Sequence, residues 1–306
     1  MNLLMLCREP RLYSCQRLRA AAQKRGHKMD ILDPNRCLLK LNPTSPHFDI
    51  YYQQDTHKPP ILLSHYDGVL PRFGVTSTQM GCFVLQHFQA QGIPCLNTEA
   101  AIRLARDKWQ SLQVLHSHHI PIPLSTFAGK EVTQPYYQMA APMVLKHLQG
   151  MQGDGVMLAN TLTQAEACYA EQHTPMLAQE FIAQAKGKDL RCFVIGDRVV
   201  ATMQRQSPEN DFRANCHLGG KATVIDVPES VKQLAVQATK TIGLDVAGVD
   251  LIQSERGYLV LEVNASPGLE MIEKTSGIDI ADRILAYFES KITKFKKSSD
   301  FSPRFA

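Results

Sequence analysis

The sequence predicts a mixed α/β protein (α+β in part), with a parallel sheet near the N-terminus and antiparallel hairpins further along the chain. The first observation is a strand, a helix and a second strand at Asn2–Cys7, Cys15–Arg25 and Met29–Leu32. Strands joined by a helix pair in parallel, so these elements predict a β-α-β unit. The second observation is two apolar, largely β-branched runs, Val246–Ile252 and Tyr258–Val263, joined by a short polar segment that ends in glycine. This pattern is typical of a β-hairpin.

Composition argues against several classes of protein. The 306 residues are 44% hydrophobic and 20% charged, as in ordinary globular proteins, and the net charge of +4 is too small to indicate direct nucleic-acid binding. No run approaches the ~20 apolar residues that a membrane span needs. The eight cysteines form no CxxC pair, which argues against zinc and favours reduced thiols in the cytoplasm.

The remaining N-terminal segments predict further strands and helices. Ser14 is expected to cap the first helix. The polar segment 38–60 is expected to be an edge or loop with one short strand at Asp49–Tyr52. The strand Tyr66–Leu70 precedes Arg72, which could meet an anion at the end of the sheet or lie on the surface. Further elements are predicted at Thr78–Gln91, at Ile93–Leu96, from Asn97, and at Trp109–His119, with Trp109 in the core and a domain boundary near residue 120.

The hairpin near the C-terminus carries polar side chains on one face. If Ser254 pairs with Tyr258 across a three-residue loop, then Asp250 faces Glu262. Opposed side chains lie about 5 Å apart, so the two carboxylates require a positive partner. With Asn264 on the same face, they offer three oxygen ligands suited to Mg²⁺. The alternative is a half-exposed hairpin with a solvated polar face.

A glycine-rich segment follows a predicted strand at Met143–Lys146. Gly150, Gly153 and Gly155 lie within six residues, which predicts a mobile loop whose backbone N–H groups can approach phosphates. A simple hairpin turn explains the glycines as well. Lys146, directly before the loop, favours a triphosphate site.

A predicted strand at Met176–Ile182 has Gln179 and Glu180 in its middle, and buried polar side chains require partners. A second hairpin, from Lys186 to Met203, places Asp189 and Arg191 on one face because they are two residues apart. The remaining predictions are helices at Glu229–Ile242 and Ile280–Phe295 and a solvated basic tail at 296–306.

A family resemblance rests on these motifs. Asp250 and the run Glu262–Gly268, EVNASPG, resemble the metal-binding end of the ATP-grasp carboxylate–amine ligases. The segment from Leu244 to Ile280 is similar to the RimK family, and so is the N-terminal pattern LYSCQRLRAAAQKRGH followed by ILDP. The resemblance implies an ATP-grasp fold with an N-terminal pre-ATP-grasp domain, followed by two subdomains that grip ATP between antiparallel sheets. The implied bounds are 1–107 and 108–295, with a central subdomain at about 121–182, a C-terminal one at about 183–295, and the tail 296–306.

The resemblance also implies roles for individual residues. Nucleotide contacts fall on Lys108, Lys146, Gly150, Gly153, Gly155, Glu180, Phe181, Asp189, Arg213, Ala214 and Asn215. Two Mg²⁺ ions, for which Mn²⁺ could substitute, fall on Asp250, Glu262 and Asn264. Arg205 or Arg213 is expected to stabilise the reacting oxyanion, and Arg191 could meet the acceptor carboxylate or be a salt-bridge partner. Leu218 departs from the basic residue of the family, and Lys221 could compensate.

The activity implied is ATP-dependent addition of glutamate, through an acyl phosphate, to the C-terminal tail of a small-subunit ribosomal protein. Two alternatives stay open: ligation of glutamate or another amino acid to a small-molecule carboxylate, and a nucleotide-binding sensor without ligase activity. The family resemblance further implies a homo-oligomer in the cytoplasm.

Overall fold

A computed structural model provides the structure of the chain. It describes residues 1–45, 47–129, 131–148, 155–171, 176–185, 187–208, 212 and 220–300. The strands are β1 (Asn2–Leu6), β2 (Lys28–Leu32), β3 (Cys37–Leu41), β4 (Phe48–Tyr52), β5 (Ile61–Leu62), β6 (Gly68–Pro71), β7 (Ser125–Phe127), β8 (Met143–His147), β9 (Val156–Ala159), β10 (Met176–Glu180), β11 (Lys188–Ile195), β12 (Arg198–Gln206), β13 (Lys221–Val224), β14 (Val246–Ser254) and β15 (Gly257–Asn264). The helices are α1 (Tyr13–Lys24), α2 (Thr78–Ala90), α3 (Glu99–Arg106), α4 (Lys108–Ser117), α5 (Leu162–Glu171), α6 (Glu229–Ile242), α7 (Glu270–Ser276) and α8 (Ile280–Asp300).

The chain divides into two compact units. The first contains Met1–Arg103, Gly243–Val246 and the segment from Ala265 onward, and the second contains Leu104–Ile242 and Ala247–Asn264. The C-terminal helices therefore group with the N-terminal segment, although sequence reasoning placed them with the residues after 108. Among the described residues, none of the helices is long and apolar enough to span a membrane.

The first unit is built on a parallel sheet in the order β2-β1-β6. The β-α-β prediction is confirmed, because β1 and β2 pair in parallel and α1 connects them. The apolar run in β1 makes it the centre of the core, and Leu4, Met5 and Leu6 are fully buried. The C-terminal α8 packs against α1, where Arg25 pairs with Asp282 and Glu289.

Two predictions for the first unit are wrong, and a third holds in part. Ser14 does not cap α1, because the helix begins at Tyr13, two residues earlier than predicted; its Oγ instead accepts a bond from the Leu269 amide at 2.9 Å. Segment 38–60 contains the predicted short strand as β4, but it is more than an edge or loop, because β3 and β5 pair with β4 on either side in an antiparallel sheet. Ile50 and Tyr52 of β4 are buried whereas Leu41 and Leu62 are exposed, so apolar residues do not mark all three strands in the sequence. The final helix continues to Asp300, so residues 296–300 are helical rather than part of a tail, and Lys296 pairs with Asp67. Residues 301–306 lie outside the described residues.

The second unit contains two β-sheets. A four-stranded sheet has the order β7-β10-β8-β9, and a five-stranded sheet has the order β13-β12-β11-β14-β15. The buried side chains of Met143, Leu145, Met176 and Ala178 form the core beneath the smaller sheet. The buried face of α6 packs against β11, β12 and β15.

Candidate functional site

The hairpin of β14 and β15 brings Asp250 opposite Glu262, as predicted. The predicted turn is wrong, because Ser254 pairs with Gly257 and the loop contains only two residues. A bulge after Asp250 adds one residue to β15 and restores the expected pairing. Gly257 has a φ of +99°, a conformation that favours glycine.

The Asp250 carboxylate is buried and bound by two arginines. Arg191 Nε donates to Oδ1 and its Nη2 to Oδ2, both at 2.6 Å. Arg205 Nη2 lies 2.9 Å from Oδ2. Burial raises the pKa of Asp250, but the two guanidinium charges outweigh burial and hold this pKa below its usual value. Asp250 is therefore a carboxylate anion at neutral pH.

Arg205 links Asp250 to a second carboxylate. Its Nε donates to Asp189 Oδ1 at 2.7 Å, and the two residues are directly opposed in the β11–β12 pair. Burial raises the pKa of Asp189 to about 6, against the opposing charge of Arg205. Asp189, Arg191, Arg205 and Asp250 form two acid–base pairs, which we call the arginine–aspartate cluster. Its charges balance, which allows four ionised groups to lie together with little exposure to water.

Lys146, on β8, is held by a buried amide. Its Nζ donates to Gln179 Oε1 at 2.5 Å, and Gln179 Nε2 donates to Ser125 Oγ at 3.0 Å. Gln179 is only 2% exposed, so the polar residue noted within the predicted strand has its partners. Sequence reasoning marked Gln179 as unusual but did not connect it to Lys146, because the two are 33 residues apart in the chain.

Lys108, at the start of α4, lies within the electrostatic influence of Glu262. Its Nζ donates to Leu148 O at 3.3 Å. Burial lowers the pKa of Lys108, and the negative charge of Glu262 opposes that effect. Burial also lowers the pKa of Lys146, to about 8, while the charges of Glu262 and Asp250 oppose burial. The second unit therefore brings two lysines and two carboxylates into one electrostatically coupled site.

The donor set fits a hard divalent cation. Asp250 and Glu262 offer carboxylate oxygens, and those of Asp250 are shared with Arg191 and Arg205. Asn264 Nδ2 donates to Gly248 O at 3.3 Å and lies 3.5 Å from Asp250 Oδ2, which leaves Asn264 Oδ1 as the atom for a cation. Across the described part of the chain, no group of three His, Cys, Asp or Glu side chains could hold a metal. The predicted ligands consist of two acids and one amide, so a magnesium site here would depend on phosphate oxygens to complete it.

Glu180 and Phe181 mark the end of β10. The Glu180 carboxylate accepts from Leu124 N at 2.7 Å and pairs with Arg256, while its own amide donates to Leu124 O at 2.9 Å. Phe181 contacts Phe212 at a ring distance of 6.4 Å.

A cavity of about 390 Å³ lies beside Leu124 and Arg256 in the same unit. Trp109 lines this cavity, and the centre of its ring lies 5.6 Å from that of Phe127. The Trp109 side chain is only partly buried, so the prediction of a plain core residue is wrong.

Several predicted nucleotide contacts have other or undescribed positions. Gly155 has a φ of +69° and accepts from the His147 amide at 2.9 Å, which closes the turn between β8 and β9. A Cβ at Gly155 would lie 2.7 Å from the His147 ring, so the turn itself requires glycine. Lys221 begins β13. Gly150, Gly153, Arg213, Ala214, Asn215 and Leu218 lie outside the described residues.

Comparison with known families and relatives covers nearly the whole chain. The model of the RimK-like ATP-grasp domain matches residues 105–288, and that of the RimK PreATP-grasp domain matches residues 1–102. A probable alpha-L-glutamate ligase of Haemophilus influenzae is 59% identical over 296 residues, covering 94% of this chain and 97% of that protein. One of the same description from Pasteurella multocida is 58% identical and covers 95% of each chain.

Solved structures share the fold at low sequence identity. The ATP-grasp ligase PsnB, complexed with a phosphomimetic variant of its minimal precursor, Mg and ADP, aligns with a TM-score of 0.72 at 20% identity, covering 95% of this chain and 98% of that one. The D-alanine-D-alanine ligase of Coxiella burnetii aligns with a TM-score of 0.68 at 16% identity, covering 98% and 96%. The predicted ATP-grasp fold is confirmed.

Proposed function

Because the chain belongs to the RimK-like ATP-grasp family and is an ATP-dependent ligase, we propose that it joins the amine of glutamate to an acceptor carboxylate. The observation that supports this most is that the charge of Glu262 acts on both Lys108 and Lys146, and that of Asp250 on Lys146, within the second unit. Two cations beside two carboxylates suit a ligand that carries both phosphate oxygens and a divalent metal.

The two lysines bind the phosphates in this proposal. Gln179 fixes the Lys146 ammonium group through a charge-assisted bond, so the positive charge is in place before the nucleotide arrives. The family resemblance assigns further nucleotide contacts to Gly150, Gly153, Arg213, Ala214 and Asn215, and these assignments belong to the proposal. The backbone at Glu180 and Phe181 would receive the adenine, and the Asp189 carboxylate would accept from the ribose hydroxyls, since a carboxylate has acceptor sites beyond those used by Arg205.

Asp250, Glu262 and Asn264 would hold Mg²⁺, or Mn²⁺ in its place. When bound, the metal neutralises charge on the β and γ phosphates. Arg191 and Arg205 form ion pairs with Asp250 and supply positive charge beside the proposed metal ligands. In this proposal Arg205 or Arg213 would stabilise the oxyanion formed when the amine of glutamate attacks, and Arg191 would orient the acceptor carboxylate.

The C-terminal tail of a small-subunit ribosomal protein is the acceptor that we propose. The similarity to the RimK family in both the N-terminal and ATP-grasp segments supports this choice over a small molecule. Cytoplasmic location, homo-oligomeric assembly, no direct nucleic-acid binding and the functional division at residues 107 and 108 belong to the same proposal.

The test is phosphate release from ATP with Mg²⁺ and glutamate, with and without a peptide of the ribosomal tail, while mass spectrometry follows the peptide. We expect glutamate additions coupled to phosphate release. Phosphate release that depends on a small carboxylate instead would remove the ribosomal acceptor. ATP binding without turnover on any acceptor would overturn ligase activity in favour of a sensor.

A further inference from the structure

Two cysteine thiols meet in the first unit, whereas the residues of the proposed ligase reaction belong to the second. Cys7 directly follows β1 and Cys15 lies in the first turn of α1, and their Sγ atoms are 3.1 Å apart. Both side chains are buried, at 2% and 1% exposure. Cys37 and Cys95 are also buried but direct their thiols to backbone carbonyls, at 3.9 and 3.5 Å. The contact between Cys7 and Cys15 therefore places two reactive sulfur atoms together.

The surroundings favour one thiolate in this pair. A hydrogen bond from Cys7 lowers the pKa of Cys15; burial opposes this effect, and the positive charge of Arg72 adds to it. The pKa of Cys7 rises because Cys7 retains the shared proton. Position near the N-terminus of a helix further favours a thiolate at Cys15.

Arg72 follows β6, at the edge of the sheet where β1 ends. Its Nη1 donates to Pro267 O at 3.0 Å, whereas its buried Nε has no hydrogen-bond partner among the residues that the structure describes. Among the described residues, the negative charges that act on the Arg72 guanidinium are those of Cys15 and Cys7, so a thiolate is the anion that the local chemistry offers. The prediction that Arg72 could meet an anion thus finds a candidate within the chain itself.

We propose that Cys7 and Cys15 form an oxidation site, at which a hydroperoxide converts the two thiols into an intrachain disulfide. The Cys15 thiolate attacks one peroxide oxygen, which breaks the O–O bond and gives a sulfenic acid and hydroxide. Cys7 then attacks the Cys15 sulfur, forming the S–S bond and releasing water. Overall, two thiols and one hydrogen peroxide give one disulfide and two waters, so the protein is oxidised by two electrons and the peroxide is reduced.

Access to the buried pair lies through the segment that joins the two cysteines. Residues 8–12 are exposed, and Leu12 is 58% exposed despite its apolar side chain. An exposed loop opens at lower free energy than the strand and helix on either side. A small oxidant therefore reaches the sulfur atoms without unfolding of the sheet.

The chain offers a direct test by peptide mapping. Arg8 and Arg11 lie between the two cysteines, so trypsin separates peptide 1–8 from peptide 12–17 unless a disulfide joins them. The full-length protein is treated with hydrogen peroxide, its remaining thiols are alkylated in denaturant, and the digest is analysed by mass spectrometry. We expect the two peptides to appear joined, and a dithiol reductant to separate them.

Variants define the chemistry. In Cys7→Ser we expect loss of the joined peptide and capture of a sulfenic acid at Cys15 by dimedone, whereas Cys37→Ser, the matched control, retains the joined peptide. Recovery of both wild-type peptides with alkylated thiols, or of Cys15 as a sulfinic acid without a disulfide, would overturn the proposal. So would a disulfide from Cys15 to any cysteine other than Cys7.

Discussion

Gln179 is the residue whose replacement tests the nucleotide site most specifically. Gln179→Met keeps the length of the side chain but removes the bond from Lys146 Nζ, at 2.5 Å, and the bond to Ser125 Oγ, at 3.0 Å. A hydrogen bond to a charged group contributes about 1.5–3 kcal/mol. If that energy holds Lys146 in its binding position, ATP affinity falls roughly 10- to 100-fold, since each 1.4 kcal/mol is about tenfold.

The assay is calorimetric titration of a non-hydrolysable ATP analogue into the wild type and three variants. Ser125→Ala is the matched control, because it removes only the bond to the far end of the amide, and we expect it to change affinity much less. Gln179→Glu separates positioning from general damage: a carboxylate beside Lys146 raises the pKa of that lysine and moves the pH dependence of binding upward. Unchanged affinity in Gln179→Met, with circular dichroism like that of the wild type, would refute the role given to this residue.

Three further predictions concern charge in the second unit. Because the pKa of Lys146 is about 8 in the folded chain, below its usual value, ATP affinity should fall as pH rises through about 8, by at most about tenfold per pH unit. Lys146→Arg should remove this pH dependence. If the dependence persists in Lys146→Arg, another group is responsible for it. The lowered pKa of Lys146 should also make the free energy of unfolding rise from pH 8 to the pKa that this lysine has in the unfolded chain, because the unfolded chain binds the proton more tightly. Denaturant titrations at several pH values measure this rise. A fall in stability over the same pH range would contradict the prediction. Arg191→Met leaves Arg205 as the remaining arginine beside the buried Asp250 and should lower the free energy of unfolding by about 3 kcal/mol. Urea denaturation measures the loss, with Arg198→Met as the control at an exposed ion pair. Equal stability of the two variants would show that the ion pair of Arg191 with Asp250 makes no net contribution.

Local pattern predicted the parts of the site that depend on neighbouring strands. The alternation of apolar and polar residues in β14 and β15 set Asp250 opposite Glu262. The turn was not predicted correctly, because Gly257 can either end a three-residue loop or pair directly after a two-residue loop. The bulge after Asp250 offset the error, so the pairing was predicted correctly although the register near the turn was not.

Contacts between distant segments were not predictable in the same way. Arg191 reaches Asp250 across 59 residues, and this bond depends on β11 lying next to β14 in the sheet. Sequence reasoning could place Arg191 on a polar face but left its partner open. Lys296 shows a different limit: its basic surroundings indicated a solvated tail, yet lysines also favour helices, and the pair with Asp67 lies far away in the sequence.

The central claim is that Glu262 and Asp250, together with Lys108 and Lys146, bind ATP with a divalent cation. The most direct measurement is the affinity of the ATP analogue with and without Mg²⁺, compared between the wild type and Glu262→Gln, which keeps the shape of the side chain and removes its charge. The proposal predicts that Mg²⁺ tightens binding in the wild type and that this gain is lost in Glu262→Gln, while the protein remains folded and turnover is abolished. An equal gain from Mg²⁺ in both proteins would contradict the metal assignment.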